Sequence, residues 1–485
     1  MGERRDRRRR RVRLAFAIPR APSNRGALRD VSASSIVPGV CSVRSRRRRL
    51  LRGAAVACAI GALPAASARA AGGDLDERFG VHGVVRTTFA AYRAMVVQPN
   101  GRIVLVGSKL VGKRAVFAVS RRMANGTLDG SFSHDGKLTT RFSSRQCVEP
   151  SAVALQRDGK IVVVGRSGCA NGRFAVARYR PDGRLDRSFS GDGRVTTRFG
   201  RRCRFSTARA VTVRRDGSIV AAGDAGCARA GGVAVSFAVA RYTRAGRLDT
   251  TFGGDGRVTT DFTPQFDVAY GIVAEPRGTV VAAGTTREDF AVDGVAQWSF
   301  GLARYERDGS LSSTFGAAGK VMTTFDGVRA CGPAEAHTIA RQRDGKLVVG
   351  GDAACGHPNF ALARYRTDGS LDPSFGTGGR VATIFAPRDC SEIVKDVAIQ
   401  PDGGIVAAGA AGCRSPHPSF ALARYDADGA LDTSFGGDGL VTSTLRGTGD
   451  CFDEIEAIGL WRGRILATGF SGCARASALL RYLGR

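Results

Sequence analysis

The strongest constraint on this chain is that it repeats itself. The stretch from Asp396 to Val441 recurs with small edits across residues 75–482, and a fixed internal period overrides the expectation that 485 residues would hold several unrelated domains. Aligned on a Leu that opens the last part of each copy, the copies fall at Leu75, Leu128, Leu185, Leu248, Leu311, Leu371 and Leu431, at spacings of 53, 57, 63, 63, 60 and 60 residues. Within the parent stretch, Asp402-Gly403 and Asp428-Gly429 each join two alternating apolar runs. An Asp-Gly in that setting marks a tight hairpin, because both central positions of the turn need positive φ. One copy therefore reads as four short strands in an antiparallel meander.

Seven copies of a four-stranded meander lie in the middle of the range for a closed ring. The expected fold is all-β, a seven-bladed β-propeller of four-stranded antiparallel blades spanning residues 71–485. The phasing opens with a strand at Leu75 to Phe79 that has no earlier partner and ends at Tyr482 with a strand that has no later one. The N-terminal strand is thus expected to complete the last blade and close the ring, which removes the exposed edges of an open array.

The motif A-x-Q-P-D-G-x-I-V-x-A-G, then F-A-L-A-R-Y-x-x-D-G-x-L-D-x-S-F-G, then G-x-V resembles the delta-60 repeat, a β-propeller repeat of bacterial exported proteins. More loosely it is similar to NHL-type blades. The resemblance implies that the A-V-A-I-Q strand is innermost and that L-D-x-S-F is outermost. The pattern departs at Arg277, Ser312, Arg462 and Ser477.

An Arg recurs seven times in the third strand, at Arg121, Arg178, Arg241, Arg304, Arg364, Arg424 and Arg481, ahead of an Asp that recurs six times. Residues repeated in every blade are scaffold, and the expectation is an Arg–carboxylate clasp or Arg bonds to carbonyls between blades, with Arg481 reaching Asp76. Ten cysteines fall as Cys147 with Cys169, Cys203 with Cys227, Cys331 with Cys355, Cys390 with Cys413 and Cys451 with Cys473. Each pair is centred on a first-hairpin turn and the remaining two copies lack both members, so five intra-blade disulfides are expected. No Cys-x-x-Cys occurs, which argues against zinc.

Residues 1–70 carry 18 Arg and 3 acids, +15 of the formal +30. Arg46 to Arg52, the apolar run Gly53 to Ala66 and Ala68-Arg69-Ala70 have the layout of a secretory signal cut before Ala71. The arginines also suit twin-arginine export, and a signal placed this late suggests translation from near Val43. No other stretch is long enough to span a bilayer. The expected product is a secreted or cell-surface monomer. The rest of its positive charge is spread through the repeats without a basic stripe or stacking aromatics, so nucleic acid is not its partner.

The loops that vary lie on one face with all ten cysteines, and variable loops on a rigid ring are where function sits. The longest carries Phe290 and Trp298. No nucleophile elbow, phosphate loop, His-Glu-x-x-His or dinucleotide fingerprint is present. His337, His357 and His417 share that face, as candidate metal ligands or as ordinary loop polarity. Nine or ten residues before the first turn, five copies place an acid at the channel mouth: Glu149, Asp267, Glu335, Glu392 and Asp453. Such acids either cap strands or bridge a calcium or magnesium ion. The functional expectation is a non-catalytic extracellular recognition scaffold for a protein or glycan. The alternative is a metal-dependent hydrolase or lyase of NHL-like type.

Overall fold

The computed structural model describes residues 71–142, 147–229, 232–288, 296–326, 328, 332–385, 390–413, 418–445, 452–472 and 476–484. Residues 1–70, which hold the expected export signal, and His417, Phe290, Cys331, Cys451 and Cys473 lie outside them. The described residues form 28 strands. They assemble as five four-stranded sheets and one eight-stranded sheet, the latter being two four-stranded groups joined by the single parallel pair Val235 and Phe266. Each four-stranded group, here a quartet, is an antiparallel meander. Quartet 1 runs Ala91–Val97, Ile103–Val111, Arg114–Arg122 and Lys137–Thr140. The seventh breaks the pattern: Asp453–Trp461, Arg464–Ser471 and Ala476–Leu483 take their fourth strand, Val84–Thr87, from the start of the chain.

The fourth strand corrects the sequence reading. L-D-x-S-F contributes only a single bridge per quartet, such as Leu128 to Arg122, and the paired strand is the G-x-V segment that follows. The reason is local. Asp129 accepts the backbone N–H and hydroxyl of Ser131, and Phe132 N–H returns to the Asp129 carbonyl, which closes a turn where a strand would need extended backbone. Phe132, freed from the sheet edge, is fully buried. The same holds at the N-terminus, where Leu75 makes one bridge with Tyr482 and Val84–Thr87 does the pairing.

Packing between quartets uses the A-R-Y end of the third strand. Neighbouring residues on a strand point to opposite faces, so its Arg and Tyr reach different neighbours. Tyr179 donates to Thr140 of the quartet before, at 2.8 Å, and this bond recurs from Tyr242, Tyr305, Tyr365 and Tyr425. Arg178 clasps Asp186 through Nε at 2.8 Å, bonds the Arg244 carbonyl of the quartet after at 2.6 Å and lies over Phe189. Arg121, Arg241, Arg364 and Arg424 repeat the carboxylate clasp, and Arg481 meets Asp76 at 3.1 Å as expected. Where Ser312 replaces the Asp, Arg304 takes Glu275 instead, at 2.9 Å. Burial alone would raise the carboxyls of Asp129 and Asp186, but bonds from the Ser two residues on and the guanidinium charge outweigh it and hold both below the ordinary range.

Among the described residues two of the expected disulfides are seen complete, Cys147 with Cys169 and Cys203 with Cys227. Cys355 is also disulfide-bonded, and Cys390 and Cys413 are direct cross-strand partners along the backbone. Among the described residues no helix is long and apolar enough to cross a membrane.

Candidate functional site

Every first strand carries the same irregularity. The pairing with the second strand slips by one residue between Tyr92 and Ala94, Pro150 and Ala152, Ala208 and Ala210, Ala269 and Gly271, Ala336 and Thr338, Val394 and Asp396, and Ile455 and Ala457. A bulge leaves one residue outside the ladder and re-aims its side chain. Here those residues are Arg93, Ser151, Arg209, Tyr270, His337, Lys395 and Glu456. All seven line one cavity of about 380 Å³, at the small end of the ~300–1,000 Å³ typical of small-molecule sites.

The cause lies in a glycine across the ladder. A Cβ added at Gly107, Gly165, Gly223, Gly284, Gly351, Gly409 or Gly469 would stand 1.8–2.0 Å from the carbonyl oxygen of the residue two before the bulge. Only glycine lets the bulged backbone come that close. The recurrent glycine of I-V-x-A-G was thus the available sequence signal for the bulge, since an isolated glycine inside a strand pattern marks one. The residues aimed into the cavity were missed because they do not repeat.

The cavity wall is charged and partly self-paired. Arg209 donates Nε to Asp224 at 2.5 Å and stacks over Tyr270 at 5.0 Å. His337 Nε2 meets Asp352 at 2.9 Å, and its ring stands edge-on to Tyr270 at 5.5 Å. Lys395 bridges to Glu454 at 2.9 Å. Burial raises the carboxyl of Asp224 against the pull of Arg209. Burial also raises Glu335 and Glu456, each helped by a neighbouring acid, Asp352 and Glu454 respectively. Asp396, whose carboxylate bonds Ile458 N–H at 2.9 Å and the Thr338 hydroxyl at 3.2 Å, is pushed by burial to about 6.

The five acids expected at a channel mouth divide between two faces of their strands. Glu149 and Glu335 stand two residues before the bulge, in the register that Glu454 shares. Asp267, Glu392 and Asp453 stand three before it and are buried. A shift of one residue turns a side chain to the other face. Those three accept backbone N–H groups from the segment leaving the previous quartet. Asp267 bonds Phe262 and Thr263, Glu392 bonds Phe385, and Asp453 bonds Leu445, at 2.8–3.1 Å. They latch that segment onto the first strand. With its N–H partners outweighed by burial, the Asp267 carboxyl rises to about 6. The structure does not bring the five together, and among the described residues no group of three or more His, Cys, Asp or Glu could hold a metal ion. Trp298 covers its own sheet, edge-on to Phe266 at 5.9 Å and beneath Arg287 at 5.0 Å.

A family model described as a domain of unknown function (DUF5122) β-propeller matches residues 98–132, 156–189, 214–252, 342–375 and 400–435. No curated protein matches the chain significantly. Similar solved structures include a protein of unknown function from Dyadobacter fermentans, 11% identical over 83% of this chain and 100% of its own, with a TM-score of 0.39. Sqt1 from Chaetomium thermophilum is 11% identical over 81% and 97%, with a TM-score of 0.41. Drosophila Semaphorin 1b, extracellular domains 1–2, is 8% identical over 86% and 88%, with a TM-score of 0.43.

Proposed function

Because this chain belongs to the DUF5122 β-propeller family of delta-60 repeats, we propose that it is an exported, non-catalytic recognition scaffold built as a closed ring of seven blades. Closure is supported by contacts between the ends of the chain. Asp453–Trp461 packs beside Ala91–Val97, Tyr92 N–H donates to the Ser477 hydroxyl at 2.8 Å, and Arg481 donates to the Ala124 carbonyl at 2.6 Å. Export is supported by the disulfides and by the signal-like leader.

One observation carries the recognition reading. The side chains that repeat around the molecule are engaged in holding it together, whereas the seven that converge on the cavity differ from one quartet to the next. Identical positions serve the fold, and differing ones on a common frame serve selection of a ligand. Purified mature protein should show an N-terminus near Ala71, an intact mass with ten cysteines oxidised and no hydrolysis of ester, lactone or phosphoester substrates with or without calcium or magnesium. Turnover that depends on an added divalent ion would replace this reading with a metal-dependent hydrolase or lyase.

A further inference from the structure

The seven cavity residues are not equally committed. Lys395 and His337 are each held by an acid, Glu454 and Asp352. Arg209 spends only Nε on Asp224. Its side chain is 34% exposed, and among the described residues its two terminal nitrogens meet no other partner. Asp224 is buried and fixes the guanidinium in place, much as a preorganised anion site requires. Two quartets away Arg93 is exposed and, among the described residues, makes no close ion pair, its charge reaching Glu456 only at longer range. Between them stands the hydroxyl of Ser151. Arg93, Ser151 and Arg209 therefore form one continuous cationic arc.

The rest of the wall has the opposite surplus. Glu456 lines the cavity beside Lys395, whose ammonium is already taken by Glu454. Among the described residues Glu456 makes no close ion pair, though Lys395 and Arg93 lie near it. Burial and the neighbouring Glu454 raise the Glu456 carboxyl, and the nearby charges of Lys395 and Arg93 only partly offset them. One small cavity thus presents the guanidinium groups of Arg93 and Arg209 and, near Arg93, the buried carboxylate of Glu456. A ligand with one charge would satisfy half of it.

We propose that this cavity binds a small zwitterion of the amino-acid or dipeptide type, its carboxylate on the arc of Arg93, Ser151 and Arg209 and its ammonium toward Glu456. The inference rests on reading the chain as a recognition scaffold and adds the ligand class. Arginine forks pair with carboxylates in two-point geometry, while carboxylates surround an ammonium without directional demand. The face of Tyr270 is taken by Arg209, so an aliphatic or polar side chain suits the space better than a stacked aromatic one.

The test is isothermal calorimetry on the oxidised mature protein with the twenty free L-amino acids and glycylglycine. Propionate and propylamine serve as single-charge controls. At least one zwitterion should saturate, and both controls should bind at least about tenfold more weakly, as loss of a charge-assisted contact requires. Arg209→Ala and Glu456→Gln should each weaken that zwitterion by about tenfold, while Arg244→Ala on the outer surface should not. If a variant fails to fold, protection of Arg93 and Arg209 from phenylglyoxal by the same zwitterion, read by mass spectrometry on unaltered protein, replaces it. No saturation by any zwitterion would overturn the proposal, as would equal binding of propylamine or unchanged binding by both cavity variants. Those outcomes leave the scaffold reading standing, since that falls only to metal-dependent turnover.

Discussion

Replacing Phe79 by Ala asks whether the N-terminal segment is an integral part of the last blade. Phe79 is fully buried among Ala90, Met95 and Ala118 of quartet 1 and Leu466 and Leu479 of quartet 7. Arg481 lies over its ring at 4.6 Å while reaching Asp76 at 3.1 Å. Phe189 has the same setting inside the continuous part of the chain, beneath Arg178 at 4.6 Å and beside the clasp to Asp186. Truncating a buried Phe costs about 3–5 kcal/mol through lost transfer energy and the cavity left behind. If the N-terminal segment is as firmly seated as its counterparts, Phe79→Ala and Phe189→Ala should cost the same within about 1 kcal/mol. Urea unfolding followed by far-ultraviolet circular dichroism, with disulfides intact, reads both as shifts in midpoint at constant slope. A near-normal midpoint for Phe79→Ala beside a full loss for Phe189→Ala would refute the reasoning, because the segment would then be fraying like an ordinary terminus.

Replacing Cys147 and Cys169 together by Ser frees a 22-residue loop and should cost about 3 kcal/mol on chain-entropy grounds; the variant should melt below the oxidised parent, and the reduced parent, which loses the other disulfides as well, should melt lower still. Gly223→Ala must push the Thr207 carbonyl aside and should cost about 3 kcal/mol, at the upper end for a single site, while changing the reactivity of Arg209 toward phenylglyoxal. Stability should rise as pH falls from about 7.5 to 5, because Asp267 and Asp396, with carboxyls near 6 in the fold against about 3.9 unfolded, penalise the fold only when ionised. Below about pH 4 it should fall again as the clasping carboxylates, Asp129 and Asp186 among them, gain protons they bind poorly when folded. Asp396→Asn should flatten the first limb in urea midpoints measured across pH, and an unchanged slope would count against the burial argument.

Much of the fold was legible because it depends on spacing along the chain. The Asp-Gly turns follow from adjacent residues, and the four-strand period and the cysteine pairs centred on hairpins from counts along the chain. So does the Arg clasp, whose partner stands eight residues on across one turn. The outermost strand was displaced by one segment because L-D-x-S-F alternates like a strand, yet its Asp bonds locally and bends the backbone first.

The candidate site was legible only as a place. Counting back from the turn brought Glu149 and Asp267 to nominally equal positions, but strand side chains alternate with a period of two, so they belong to opposite faces. The bulge removes the last certainty of such a count, since it inserts a residue without changing the apolar pattern around it. By itself the sequence determined the repeated frame, since every quartet restates the same local bonds. Only the tertiary structure decided which seven unlike side chains meet, because a glycine on the neighbouring strand aims each of them and the cavity exists only where seven strands from across the chain converge.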